Sequence, residues 1–213
     1  FGLVDGPELI LLKGHPLVNG YETTSERVAI KEVKLLAPTI PSKVVCIGKN
    51  YADHIAEMGL PTQPEPTIFL KPSSSIIGPG DPIVLPRQSE RVELEAELAI
   101  VIGQIAKDVT VDSAMEYIWG FTVANDVTAR DLQASDDQWA RSKGFDSFCP
   151  IGPWIETEFV PEGQIIESRI NGEVQQAGTI DQMIHGVAEI VSYVSENMTL
   201  LPGDIILTGP PAG

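Results

Sequence analysis

The sequence predicts an α+β protein dominated by short strands. Three observations carry this. The 213 residues include 19 Gly and 17 Pro, about one residue in six, which punctuates the chain too often for a helix bundle. Only one stretch shows sustained helical periodicity: Ile184, Val187, Val191, Val194 and Met198 recur at alternating spacings of three and four. Hydrophobic residues make up 43% of the chain, enough for a sizeable core and too many for wholesale disorder. The length suits one main domain with a small appendage.

Taken in order, residues 1–37 hold the apolar run Leu9–Leu12 between turn signals at Gly14, Pro16 and Gly20, and read as a small β-rich module. Pro38 and Pro41 bracket a connector, and 38–213 forms the main domain. There, Val44–Ile47 reads as a buried strand ending at Gly48, and Ala52–Met58 as a short helix closed by Gly59. Thr67–Leu70 and Pro82–Leu85 read as strands, Val92–Ile102 as a long one, Asp112–Trp119 as a short helix and Phe121–Val127 as a further strand. Residues 131–149, rich in charge and aromatics, read as an active loop. Gln182–Met198 is the long amphipathic helix, and Pro202–Gly203–Asp204 turns the chain into a last strand, Ile205–Thr208. The opening run FGLVDG and the closing run LTGPPAG both look interrupted, so further sequence is expected beyond each.

Charge narrows the function classes. Lys and Arg number 14 against 30 Asp and Glu, a net charge of −16. Such a surface repels phosphate backbones and anionic membranes, so neither nucleic acid nor membrane is expected as a partner. No apolar run reaches the roughly 18 residues of a membrane span and no signal peptide opens the chain; the cytoplasm is the expected compartment. Cys46 and Cys149 sit in apolar surroundings and read as small buried hydrophobes, not a disulfide.

The run VELEAELAIVIG is the most informative. Strand alternation puts Glu93, Glu95 and Glu97 on one face, which turns apolar at Ala99 and Val101. These acids therefore stand at the mouth of the core, either as a wet edge or as the oxygen ligands of a hard divalent cation. Asp126 lies within a strand of mostly uncharged residues and needs a partner: Arg130, Lys143 or a shared metal. His54 and Glu57 share one face of the short helix, as a surface pair or as a general base with its orienting carboxylate. His185, near the start of the amphipathic helix, reads as a packing or capping residue. Lys49, Lys71, Arg130, Arg141 and Lys143 all adjoin these motifs, which in so acidic a chain points to a local site for a small anion.

Together, GKNYADH, FLKPSSSIIGPGDPI, ELEAELAIVIG, GFTVANDVTARDLQ, WARSKGFDSFCPIGPWI and LLPGDIILTG resemble the fumarylacetoacetate hydrolase family over about residues 35–213. The resemblance implies a mixed β-sandwich-like roll, a homodimer, and bound Mg²⁺ or Mn²⁺. It implies Glu95, Glu97 and Asp126 as metal ligands, with Glu93 only a neighbour. It implies His54 and Glu57 as the acid–base pair and Lys143 as the catalytic lysine beside the metal. Gln133 matches a substrate-contacting glutamine, Lys71 matches the FLKP lysine, and Lys49 stands where many relatives carry Arg; with Arg130 from the basic cluster and the Thr208 hydroxyl, these are the expected substrate-binding residues. The chain departs from the family in LTGPPAG: Pro210 replaces a hydroxyl residue and offers neither a hydroxyl nor an N–H donor for that substrate contact. The implied chemistry is a metal-stabilised enolate of a small anionic 2-oxo or β-diketo acid. Acylpyruvate-type or fumarylpyruvate C–C hydrolysis is the first expectation, because a His–Glu pair suits water activation. Decarboxylation of an oxaloacetate-like acid and isomerisation of a hydroxyheptadienedioate share the same core.

Overall fold

A computed structural model describes residues 1–57, 59 and 63–213, which fall into two compact units, Phe1–Leu36 and Ala37–Gly213. The first is an antiparallel meander of β1 (Gly2–Asp5), β2 (Glu8–His15) and β3 (Gly20–Ala29). Its ends are tied by Arg27, whose guanidinium lies 2.6 Å from Asp5.

The second unit is built on a seven-stranded mixed sheet. Its strands are β4 (Val44–Gly48), β5 (Thr67–Lys71), β6 (Ile76–Ile77), β8 (Ala96–Ile102), β9 (Ile118–Asn125), β11 (Cys149–Glu156) and β14 (Ile205–Leu207), in the order β5-β4-β14-β8-β9-β11-β6. Two small pairs accompany it: β7 (Val92–Glu93) with β10 (Thr128–Ala129), and the hairpin of β12 (Ile165–Ile170) with β13 (Glu173–Thr179). Short helices α1 (Ala52–Glu57), α2 (Arg130–Ser135) and α3 (Ala140–Lys143) surround one end, and α4 (Val187–Asn197) is the longest helix among the described residues.

Alternation along the strands fills two cores. One face of the sheet carries Val45, Leu98, Ile100, Ile102 and Ile206, packed against Ile190, Val191 and Val194 of α4. The other carries Val44 and Cys46 of β4 together with Cys149 and Ile151 of β11. The intervening strands β14, β8 and β9 add Ile205, Leu207, Ala99 and Ala124 to the same cluster, and the sheet curls with this face inside. Both thiols are free and buried. No helix among the described residues is long and apolar enough to cross a membrane.

Several sequence expectations are corrected. Pro82–Leu85 forms no ladder: its flanking prolines lack N–H donors, and the Val84 N–H donates to Ser147 Oγ at 2.8 Å instead. The long strand 92–102 is broken at Leu94–Glu95, separating β7 from β8. The segment Asp112–Trp119 is a 3₁₀ turn over Val111–Tyr117, with Trp119 already inside β9. β9 ends at Asn125, so Asp126 lies just beyond the strand, not within it. The amphipathic helix starts late, at Val187 behind the N-cap Gly186, because the Ile184 N–H is taken by the Asn50 carbonyl at 2.8 Å. The active loop 131–149 holds all of α3 and all but the first residue of α2, and Met58 of the predicted short helix lies outside the described residues.

Candidate metal centre

The break at Leu94–Glu95 and the end of β9 coincide and are stitched together. The Asp126 N–H donates to the Glu95 carbonyl at 2.9 Å, and the Glu95 N–H donates to Asn125 Oδ1 at 2.9 Å. Glu97 pairs in register with Ala124 and Lys71 with Val44, and both partners belong to the enclosed face of the roll. Glu95, Glu97 and Asp126 thus converge with one oxygen of each within 4.8 Å of the others, all three buried. Glu93 turns away to Arg91 and Arg130, at 2.6 and 2.7 Å.

Three cations make this burial tolerable. The Lys143 ammonium bridges Glu95 and Asp126 at 2.5 and 2.6 Å, Lys71 holds the other Asp126 oxygen at 2.5 Å, and Arg130 reaches Glu95 at 2.6 Å. Burial pushes the Asp126 carboxyl up, but Lys143 and Lys71 override it and hold the group below its ordinary value. Burial likewise opposes the Lys143 ammonium, and Asp126 and Glu95 override that too, so the charge is kept. Glu97 is the exception. Burial, then Asp126 and Glu95, push its carboxyl well above the ordinary range. Its one hydrogen bond among the described residues is from the Gly209 N–H, at 2.5 Å. An all-oxygen donor set with one undercompensated carboxylate fits a hard divalent cation, and Glu95, Glu97 and Asp126 are the residues that could hold it.

Beside the acids lies a cavity of about 20 Å³, room for roughly one water. His54, Lys49, Gln133, Trp139 and Pro210 line it along with the three acids, Arg130 and Lys143. Burial lowers the His54 pKa, with help from Arg130 and Lys143, so the ring stays neutral near pH 7. Among the described residues the buried His54 Nδ1 has no hydrogen-bond partner, and it stands 3.7 Å from a Glu57 oxygen, so the two are neighbours and not a closed pair. Gln133 accepts from Arg130 at 2.9 Å.

Not every sequence candidate reaches the cavity. Lys71 stands behind Asp126 and donates to the Val127 carbonyl at 3.2 Å. Thr208 is fully buried, and both its N–H and Oγ1 donate to the Leu98 carbonyl, at 3.1 and 3.0 Å. The hydroxyl is spent on the fold, and Pro210 faces the cavity in its place. Arg141 is paired on the surface with Asp136 at 2.5 Å.

Trp139 was not legible as a site residue. A Cβ on Gly48 would meet its ring at 2.8 Å, Phe69 packs edge-on at 5.3 Å, and the Lys49 ammonium lies 6.0 Å from its ring centre. Its place in the aromatic-rich run 131–149, four residues before Lys143 in WARSK, is the signal the sequence offers. Phe69 also underlies the Lys143 ammonium at 5.1 Å.

The profile of the fumarylacetoacetate (FAA) hydrolase C-terminal domain matches residues 43–213. The chain belongs to the fumarylacetoacetate hydrolase family. Residues 1–38 match a second profile, Rv2993c-like, N-terminal. Among similar proteins, protein Rv2993c of Mycobacterium tuberculosis is 54% identical over 187 residues, covering 86% of this chain and 71% of that protein. The human mitochondrial oxaloacetate tautomerase FAHD2A is 48% identical over 188 residues, covering 85% of this chain but 60% of the tautomerase. The 2-hydroxyhepta-2,4-diene-1,7-dioate isomerase structure from Mycobacterium marinum superposes with a TM-score of 0.89 at 47% identity, covering 97% of this chain and 77% of that one. The mixed roll expected from the resemblance is the fold observed.

Proposed function

We propose that this chain moves a proton across the enol of a 2-oxo dicarboxylic acid, a tautomerase or isomerase reaction dependent on Mg²⁺ or Mn²⁺, with an oxaloacetate-like acid as substrate. The observation that carries this is the chemistry of the cavity wall. His54 is its one neutral base among the described residues; every other ionisable group there is a buried acid or a cation. A tautomerisation needs one base that takes a proton and returns it, and the named activities of two similar proteins are of this kind. The hydrolytic reading needs a water-activating His–Glu pair, and the 3.7 Å separation of His54 and Glu57 gives it less support.

A divalent cation held by Glu95, Glu97 and Asp126 would supply positive charge to the enolate oxygen. His54 removes a proton from C3 of the acid, and the same proton is delivered to the 2-oxo oxygen, so that keto and enol forms interconvert with atoms conserved. Lys143 and Arg130 add positive charge beside the developing oxyanion. No carboxylate pairs with Lys49 among the described residues, which leaves its ammonium for the substrate's distal carboxylate. Trp139 and Pro210 present apolar surface at the cavity wall and limit water there. The homodimer implied by the resemblance also belongs to this reading; exposed Val84, Leu85, Val123 and Trp154 are apolar surface that a second copy would cover.

The test is incorporation of solvent deuterium at C3 of oxaloacetate together with enol absorbance decay, with Mg²⁺ or Mn²⁺ present. Acetylpyruvate and 2-hydroxyheptadienedioate are run beside it. Enol conversion that falls roughly 10²–10⁴-fold in His54→Ala is expected. Cleavage of acetylpyruvate without enol conversion would restore the hydrolytic reading.

A further inference from the structure

Asn50 is fully buried and joins three segments of chain that are distant in sequence. Its Oδ1 accepts the His185 N–H at 2.8 Å. Its Nδ2 donates to the His185 carbonyl at 3.0 Å and to the Thr208 carbonyl at 2.8 Å. Its own carbonyl accepts the Ile184 N–H at 2.8 Å. These partners leave the side-chain amide one orientation, oxygen toward the single N–H and nitrogen toward the two carbonyls.

The Thr208 carbonyl and the Gly209 N–H belong to the same peptide group, and that N–H is the donor to Glu97 at 2.5 Å. In a trans peptide the two point in opposite directions, so fixing the carbonyl from one side aims the N–H from the other. We infer that Asn50 is a positioning residue that acts through the Thr208–Gly209 peptide to hold the Glu97 carboxylate in the acid cluster. Hydrogen bonds in series through one peptide polarise each other, which strengthens the terminal bond to the carboxylate.

Two further observations accord with this arrangement. Gly209 has φ +97, and a Cβ there would sit 2.9 Å from Asn50 Cβ and 3.1 Å from the Ile47 carbonyl, so a side chain would push the peptide off Asn50. Asn50 also follows Lys49, whose φ of +60 is left-handed and unusual for lysine. The amide of Asn50 therefore fixes the chain at the residue after a strained one in the cavity wall.

The functional sense of this rests on the metal-centre reading above, but its primary test needs neither metal nor substrate. In the metal-free wild-type chain the Gly209 amide proton should resonate downfield and exchange slowly. In Asn50→Asp, which keeps the acceptor but loses the donor, and in Asn50→Ala, it should move upfield and exchange about tenfold faster or more, while the amides of β14 stay protected. Calorimetric titration with Mn²⁺ should then show affinity weakened about 10–100-fold, the usual effect of removing a ligand's hydrogen-bonded support. A Gly209 resonance and exchange rate unchanged in the variants, with only a lower melting temperature, would make Asn50 a mere staple and overturn the inference. Rapid exchange of Gly209 in the wild-type chain would overturn it with no variant needed, so a variant that fails to fold leaves the question decidable. Wild-type protein that ignores Mn²⁺ would count against the metal reading, and the amide measurement would still decide the role of Asn50.

Discussion

Replacing Lys143 with Met tests whether its ammonium is what allows three acids to share the interior. Lys143 is buried and bonded to Glu95 and Asp126 at 2.5 and 2.6 Å. Removing one partner from a buried ion pair typically costs about 3–5 kcal/mol, because the other charge is left unpaired. Arg130 still holds Glu95 and Lys71 still holds Asp126, so the lower end, about 3 kcal/mol, is expected. That is a large share of the roughly 5–15 kcal/mol that stabilises a folded domain. For a chain of this length it lowers Tm by about 6–12 °C. The assay is thermal and urea unfolding in EDTA at pH 7, repeated with Mn²⁺. The ion should raise the variant's Tm more than the wild type's, because it replaces the charge that was removed. The pH sense follows from Asp126, whose carboxyl the lysines hold below 3.8. Its stabilisation is present above that value and is lost as pH falls through the lower, folded one. Wild-type and variant curves should therefore converge on acidification below about pH 4. A Lys143→Met protein as stable in EDTA at pH 7 as the wild type would refute the reasoning.

Three further outcomes are expected. Glu97→Gln removes the charge that burial, Asp126 and Glu95 all disfavour, so it should be more stable than wild type in EDTA while binding Mn²⁺ more than about tenfold more weakly; equal affinity by calorimetry would remove Glu97 from the ligand set. Because burial holds the His54 pKa below 6.5, the activity–pH profile should stay flat through that value and fall only below it. The unfolded chain takes up this proton first, so acidification below pH 6.5 also lowers stability, and a His54→Ala protein with the same acid limb would refute the assignment. Sedimentation equilibrium at micromolar concentration should give twice the chain mass of 23.0 kDa; a monomer would rule out the dimer.

Much of the centre was legible because it rests on local rules. Strand alternation put Glu93, Glu95 and Glu97 at the mouth of the core, the resemblance set Glu93 aside, and the i,i+3 spacing put His54 beside Glu57. The apolar runs at Val44–Ile47 and Ile205–Thr208 read as strands because buried strands are short and bounded by Gly or Pro, and the ladders observed are Val44–Gly48 and Ile205–Leu207. The order of six motifs then identified the family, something no single motif could do.

What only tertiary structure decided was where the ladders break and which side chains face the cavity. An alternating pattern assigns a residue to a face, but it does not say that pairing stops at Leu94–Glu95 or that β9 ends at Asn125. Those ends depend on bonds between Glu95, Asn125 and Asp126, about 30 residues apart in sequence. Thr208 looked like a substrate contact because it carries a hydroxyl, yet that hydroxyl is claimed by the Leu98 carbonyl, 110 residues away. Trp139 and Asn50 carried no chemical signal of their own: one matters because a glycine lies under its ring, the other because two carbonyls and an N–H surround its amide. A side chain's chemistry is written in the sequence, but its partners are chosen by the curl of the sheet, which brings strands from both ends of the domain around one buried charge cluster.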